Sequence, residues 1–110
     1  LPEPEISPLD GVNPSDYFNT KLYSGTGSSN AQTGVGFRPD MIWFKERSAN
    51  TGGGNFWFQI DAVRGATKVL QSNTVGTEST GDALSLDSDG FTLGSYSGGN
   101  ANQNGETYAS

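Results

Sequence analysis

Residues 34–48 read GVGFRPDMIWFKERS, and they are unlike the rest of the chain. Most of the sequence is Gly, Ser, Thr and Asn. Here Phe37, Met41, Ile42, Trp43 and Phe44 crowd together, and Arg38, Lys45 and Arg47 supply half of the six basic residues. Pro39 disfavours helical geometry at Arg38, so the chain enters this stretch extended. A strand of six to eight residues is expected over DMIWFKER. Period-two alternation puts Ile42, Phe44 and Glu46 on one side and Met41, Trp43, Lys45 and Arg47 on the other. Both sides begin apolar. That predicts a central strand covered on both faces at one end, with Trp43 in the core, and a charged end emerging into solvent.

Working outward, YFNTKLYSG from Tyr17 reads as the first strand, bounded by Pro14 and the turn set GTGSSN. SANTGGGN reads as a loop. NFWFQID reads as the next strand, with Phe56, Phe58 and Ile60 on one face and Trp57, Gln59 and Asp61 on the other. AVRGATKVLQS has partly helical spacing, but Gly65 sits inside it and costs about 1 kcal/mol relative to Ala in a helix. A turn at Val63-Arg64-Gly65 and a short strand over 67–71 fit better. NTVGTESTGD reads as loop. ALSL, DSDG and FTLGSY form a hairpin pattern with Phe91 and Leu93 facing the core. SGGNANQNG is a further loop, and ETYAS begins a last strand that ends on an open edge. Strands with turn signals every ten or so residues and no convincing helix predict an all-β antiparallel sandwich.

The composition agrees. At 110 residues the chain makes one domain with a modest core, and its 16 glycines suit many turns. LPEPEISPLDGVNPSD carries four of the five prolines and reads as an extended acidic arm or linker over 1–16, ahead of a domain over 17–110. There is no Cys and no His, so disulfides, thiolate metal sites and His-based triads are excluded within the chain. The net charge of −6 argues against binding a phosphate backbone. No apolar run approaches the roughly 20 residues of a membrane-spanning helix.

Five blocks occur in order: PSDYFNTKLYSGTG, GVGFRPDMIWFKERS, DAVRGATKVLQSN, LDSDGFTLGS and NGETYAS. Together they resemble a domain found repeatedly in virion proteins of tailed bacteriophages, within tail-fibre or other surface structural proteins. The shared patterns are GFxPDxxWxK, DxVRGxxKxL and DSDGFxLG. The resemblance implies a concanavalin-like or jelly-roll-like sandwich at the virion surface, packed with other virion subunits as a homo-oligomer. It supplies no catalytic residues. In that family the last block runs on into a Trp-containing strand that does not follow here.

The residues leave several candidates for chemistry. Asp87 and Asp89, two apart before Gly90, fit either a structural turn or the start of a calcium loop; an EF-hand would need an acid at 98, which is Gly. The same pair lacks any feature that would raise one pKa for glycoside hydrolysis. Ser and Thr nucleophiles lack an activating base. Arg64 is three residues from Asp61 and fits either a local ion pair or a ligand contact. Trp57 and Tyr96 are candidate carbohydrate contacts, because flat aromatic faces with polar tips stack on sugar rings at wet surfaces. Function is expected on loops at 24–34, 48–55, 73–82 and 95–105. The leading expectation is a non-enzymatic, surface-exposed tail-fibre or adhesin domain touching host glycan. The alternatives are a capsid-decoration or fibre-shaft domain assembling by arm and strand exchange, and a carbohydrate-binding module.

Overall fold

A computed structural model describes residues 11, 13–48, 57–95 and 101–110. It is an antiparallel β-sandwich, as the turn spacing predicts. Among the described residues nine strands form: β1 (Leu22–Ser24), β2 (Asn30–Gln32), β3 (Met41–Glu46), β4 (Trp57–Asp61), β5 (Lys68–Gln71), β6 (Ser79–Thr80), β7 (Ala83–Asp87), β8 (Gly90–Leu93) and β9 (Thr107–Ala109). Six of them make one sheet in the order β1-β9-β3-β4-β5-β6. The other three make a second sheet in the order β2-β8-β7. Among the described residues a 3-10 turn, Pro14–Asp16, precedes β1. Among the described residues no helix is long and apolar enough to cross a membrane.

The core lies between the sheets. Ile42 and Phe44 of β3, Phe58 and Ile60 of β4, and Tyr108 of β9 face Phe91 and Leu93 of β8 and Ala83 of β7. Phe91 meets Phe44 edge-on, with ring centroids 5.3 Å apart, and meets Tyr23 edge-on at 5.8 Å. Tyr23 stacks on Tyr108 at 5.2 Å. Edge-to-face and offset contacts of this kind add to area burial because ring edges are electropositive and faces electronegative. Burial pushes the Tyr23 phenol well above its ordinary range, so it stays neutral and donates to the Ala101 carbonyl at 2.8 Å.

Three expectations are corrected. β3 is covered on one face only: Ile42 and Phe44 are buried, while Met41 and Trp43 are exposed. Trp43 is therefore not a core residue. The second sheet covers one side of β3, and period-two alternation sends Trp43 to the other. The charged end of β3 does not simply emerge, since Glu46 is buried on the core side. The last strand is not an edge. β9 pairs with β1 through Leu22↔Ala109 and with β3 through Lys45↔Ala109. Two strands fall in segments read as loop, β2 and β6. Both are only two or three residues long, with Ala31 their one apolar residue, too short to show an alternation.

The second sheet is held to the first by polar chemistry as well as by apolar contact. Asn102 is fully buried. Its amide nitrogen donates to the Ser28 and Gly94 carbonyls, both at 2.6 Å. Its oxygen accepts from the Thr26 backbone N–H and the Asn30 side chain, both at 3.0 Å. One side chain thus ties the loop before β9 to the loops around β2 and β8. Nearby, Gly90 lets β8 approach β2: a Cβ there would lie 1.9 Å from the Gln32 carbonyl oxygen.

Candidate functional site

The outer face of the six-stranded sheet carries the feature of most chemical interest. Odd-numbered residues of β3 and β4 point away from the core. Register places Trp43 opposite Gln59 and Lys45 opposite Trp57, so the two tryptophans are diagonal neighbours. Their ring centroids are 5.5 Å apart and tilted by 58°. They stay 46% and 41% exposed, which is unusual for the two largest side chains in a small domain. Lys45 Nζ sits 5.5 Å from the Trp57 ring centroid, within cation–π range. Met41 and Leu70 extend the exposed apolar area on either side, with Gln59 between. An aromatic pair flanked by an amide and an ammonium offers flat stacking faces and hydrogen-bond donors together. That combination suits a hydroxyl-rich ring.

Continuous with this face, and lined in part by Trp43, Lys45 and Trp57, lies a groove of about 820 Å³. One wall is the segment 16–21, including the exposed Tyr17 and Phe18. The other is the first half of β3. Val35, Phe37 and Phe91 contribute to its apolar lining, and Ser110 stands at one end of the 16–21 wall, bonded to Lys21. Lys21, Arg38, Lys45 and Arg47 line it, against Asp16 and Asp40.

The candidate residues from the sequence do not converge on one site. Trp57 belongs to the outer-face pair. Arg64 lies at the far end of β4 in a local ion pair: its Nε meets the Asp61 carboxylate, and its backbone N–H donates to Asp61 Oδ1 at 2.8 Å. These bonds hold Asp61 below the usual carboxylate range. Glu78 is 3.8 Å from Arg64 Nη1. Arg64 therefore fixes the corner between β4 and β5.

Asp87 and Asp89 turn to different partners. Asp87 accepts from the Thr92 hydroxyl at 2.6 Å and the Ser85 hydroxyl at 2.7 Å. Asp89 accepts from the Gly36 N–H at 2.6 Å and the Gly34 N–H at 2.9 Å. Each carboxyl is held below its ordinary range by those donors. Asp89 thereby staples the β7–β8 turn to the loop that leads into β3. Among the described residues no three acidic side chains gather as a metal-ligand group. Tyr96, with residues 49–55 and 96–100 of the loops at 48–55 and 95–105, lies outside the described residues.

Sequence reasoning missed two functional features. The Trp43–Trp57 pair follows from register, which a single strand pattern does not contain. The Asn102 junction joins polar residues more than 70 positions apart, and Asn in a loop carries no signal of burial.

The family described as a domain of unknown function, DUF7483, matches residues 13–110. The chain belongs to the DUF7483 family. Searches of curated proteins and of solved structures gave no match. The DUF7483 match begins at the turn before β1 and runs through β9, so it spans both sheets, the aromatic face and the groove.

Proposed function

We propose that this DUF7483 domain is a non-enzymatic structural domain of a tailed-bacteriophage virion. It is displayed at the particle surface in a tail fibre or adhesin, where it contacts host glycan through the outer face of its larger sheet. The observation that carries the glycan reading is the exposed Trp43–Trp57 pair with Lys45 beside it. The ordered sequence blocks support the virion reading. The lack of His and Cys, and the engagement of Asp61, Asp87 and Asp89 in internal bonds, support the non-enzymatic part.

Antibody raised to the chain and applied to intact particles tests the placement by electron microscopy. Label at distal fibres is expected. Label spread over the capsid would favour the decoration or fibre-shaft reading instead, which the incompletely paired edge of β3 beside the groove supports. Release of reducing ends from a host polysaccharide by the purified protein would defeat the non-enzymatic part.

A further inference from the structure

The outer face of the larger sheet carries cations as well as rings, and their placement is selective. Of the six basic residues, Arg64 pairs with Asp61 and Glu78, and Lys68 with Glu78. Lys21 Nζ donates to the Thr33 carbonyl at 2.6 Å, and Arg38 Nε to the Leu86 carbonyl at 3.3 Å. The other two, Lys45 and Arg47, stand on the aromatic face. The Arg47 N–H bonds to the Thr107 carbonyl, so the ladder continues past the end of β3. Alternation then gives Trp43, Lys45 and Arg47 the same side, each about 7 Å from the next. Arg47 is exposed, and among the described residues its guanidinium has no ion-pair partner. The positions across the sheet carry no acid: Trp57 and Ala109 flank Lys45, and Thr107 lies beside Arg47. Glu46, between the two cations in sequence, is buried on the core side.

We propose that the glycan taken by this face is acidic: a saccharide bearing a carboxylate, of the uronic or sialic acid kind, with its ring against the Trp43–Trp57 pair and its carboxylate between Lys45 and Arg47. The inference rests on the glycan reading above and adds the class of sugar to it. A neutral sugar needs only hydrogen-bond donors and acceptors, and Gln59, opposite Trp43 on the same face, supplies both. Two adjacent cations with no acid across from them suit an anion. The guanidinium fork matches a carboxylate with two parallel N–H donors, and an ammonium beside it adds a compact charge.

The charge of the whole chain makes this a local reader and not a general polyanion surface. At −6 the protein repels polyanions at long range. Attraction is confined to the short distance over which Lys45 and Arg47 outweigh that background, and salt narrows it further. A ligand gains from them only when stacking brings its carboxylate close. Lys45 couples the two contacts, because its Nζ is 5.5 Å from the Trp57 ring centroid. A sugar ring against Trp57 and a carboxylate on that ring therefore fall within reach of the same side chain.

Equilibrium binding tests it on the full chain, with a panel of oligosaccharides containing uronic or sialic acid, each paired with the same oligosaccharide reduced at the carboxyl to the primary alcohol. The carboxylated member of a pair is expected to bind about tenfold tighter or more, because charge-assisted hydrogen bonds are about twice as strong as neutral ones. In the double variant Lys45→Gln/Arg47→Gln that advantage should fall to within about twofold, and added salt should shrink it in the unaltered chain. Trp57→Ala should weaken both members. Should the double variant fail to fold, Arg47→Gln alone, at an exposed position, decides. Equal affinity for the two members would overturn the proposal and leave the glycan reading standing. An acid preference unchanged in the variants would overturn it too, because the carboxylate would then be read elsewhere. Binding to neither member of any pair would overturn the proposal and the glycan reading together.

Discussion

The two faces of the larger sheet are equally rich in big side chains and have opposite fates. Inside, Ile42, Phe44, Phe58 and Ile60 are at most 6% exposed; outside, Met41, Trp43 and Trp57 are 41–60% exposed. They come from the same two strands and alternate residue by residue. Hydrophobicity therefore does not decide which face is buried. What decides it is the single covering sheet, β2-β8-β7, which supplies Phe91 and Leu93 to one side. The opposite face keeps its aromatic residues without a cover among the described residues. Such an exposed aromatic area is the kind of surface that marks a binding site.

The sharpest way to break this contrast is to remove the residue that joins the sheets. Phe91 is 1% exposed and contacts both Phe44 and Tyr23. Phe91→Ala should cost about 3–5 kcal/mol in urea unfolding, the range for emptying an aromatic core site. A cost near zero would mean that the second sheet does not cover the first.

The polar junction should rank next. Asn102→Ala removes two donated and two accepted hydrogen bonds and leaves buried backbone groups without a partner. A loss of about 2–3 kcal/mol is expected, since each stranded polar group costs about 1–3 kcal/mol and the site can admit water. Asn102→Asp should not rescue it, because a carboxylate cannot donate to the Ser28 and Gly94 carbonyls.

A smaller effect is expected from acid. Asp89, Asp87 and Asp61 have folded pKa values lowered from an ordinary 3.8. A lowered carboxyl pKa means that the unfolded chain binds protons first. The stability from these groups is thus present above pH 3.8 and is lost as pH falls through the folded values. Asp89→Asn can accept through one oxygen rather than two. It should lower the melting temperature modestly at neutral pH and flatten the fall in stability below pH 3.8. An unchanged acid slope would show that the staple to Gly34 and Gly36 contributes little.

Much of this was legible in the sequence, and the limits have physical causes. The alternation in β3 and β4 is local, so the grouping of Ile42 with Phe44 and of Phe58 with Ile60 could be read directly. Which group faces the core could not, because that depends on a covering sheet assembled from β2, which precedes the pair in sequence, and from β7 and β8, which follow it. Trp43 was misplaced for this reason: its neighbours were buried, and its own side was not. The hairpin at Asp87–Gly90 was legible from its turn residues. The partners of Asp89 were not, because Gly34 and Gly36 approach it through tertiary structure alone. β2 and β6 left no pattern. The position of β9 between β1 and β3 is a long-range pairing that ETYAS does not encode by itself.

The contrast between the two faces is tested most directly by measuring the unfolding free energy of Trp43→Ala beside that of its chain neighbour Phe44→Ala. The account predicts a loss of about 3–5 kcal/mol for Phe44, which is 1% exposed, and within about 1 kcal/mol for Trp43, whose ring contacts lie on an open face. Comparable losses at the two positions would contradict it, because the outer face would then be a second core and not a surface kept for a partner.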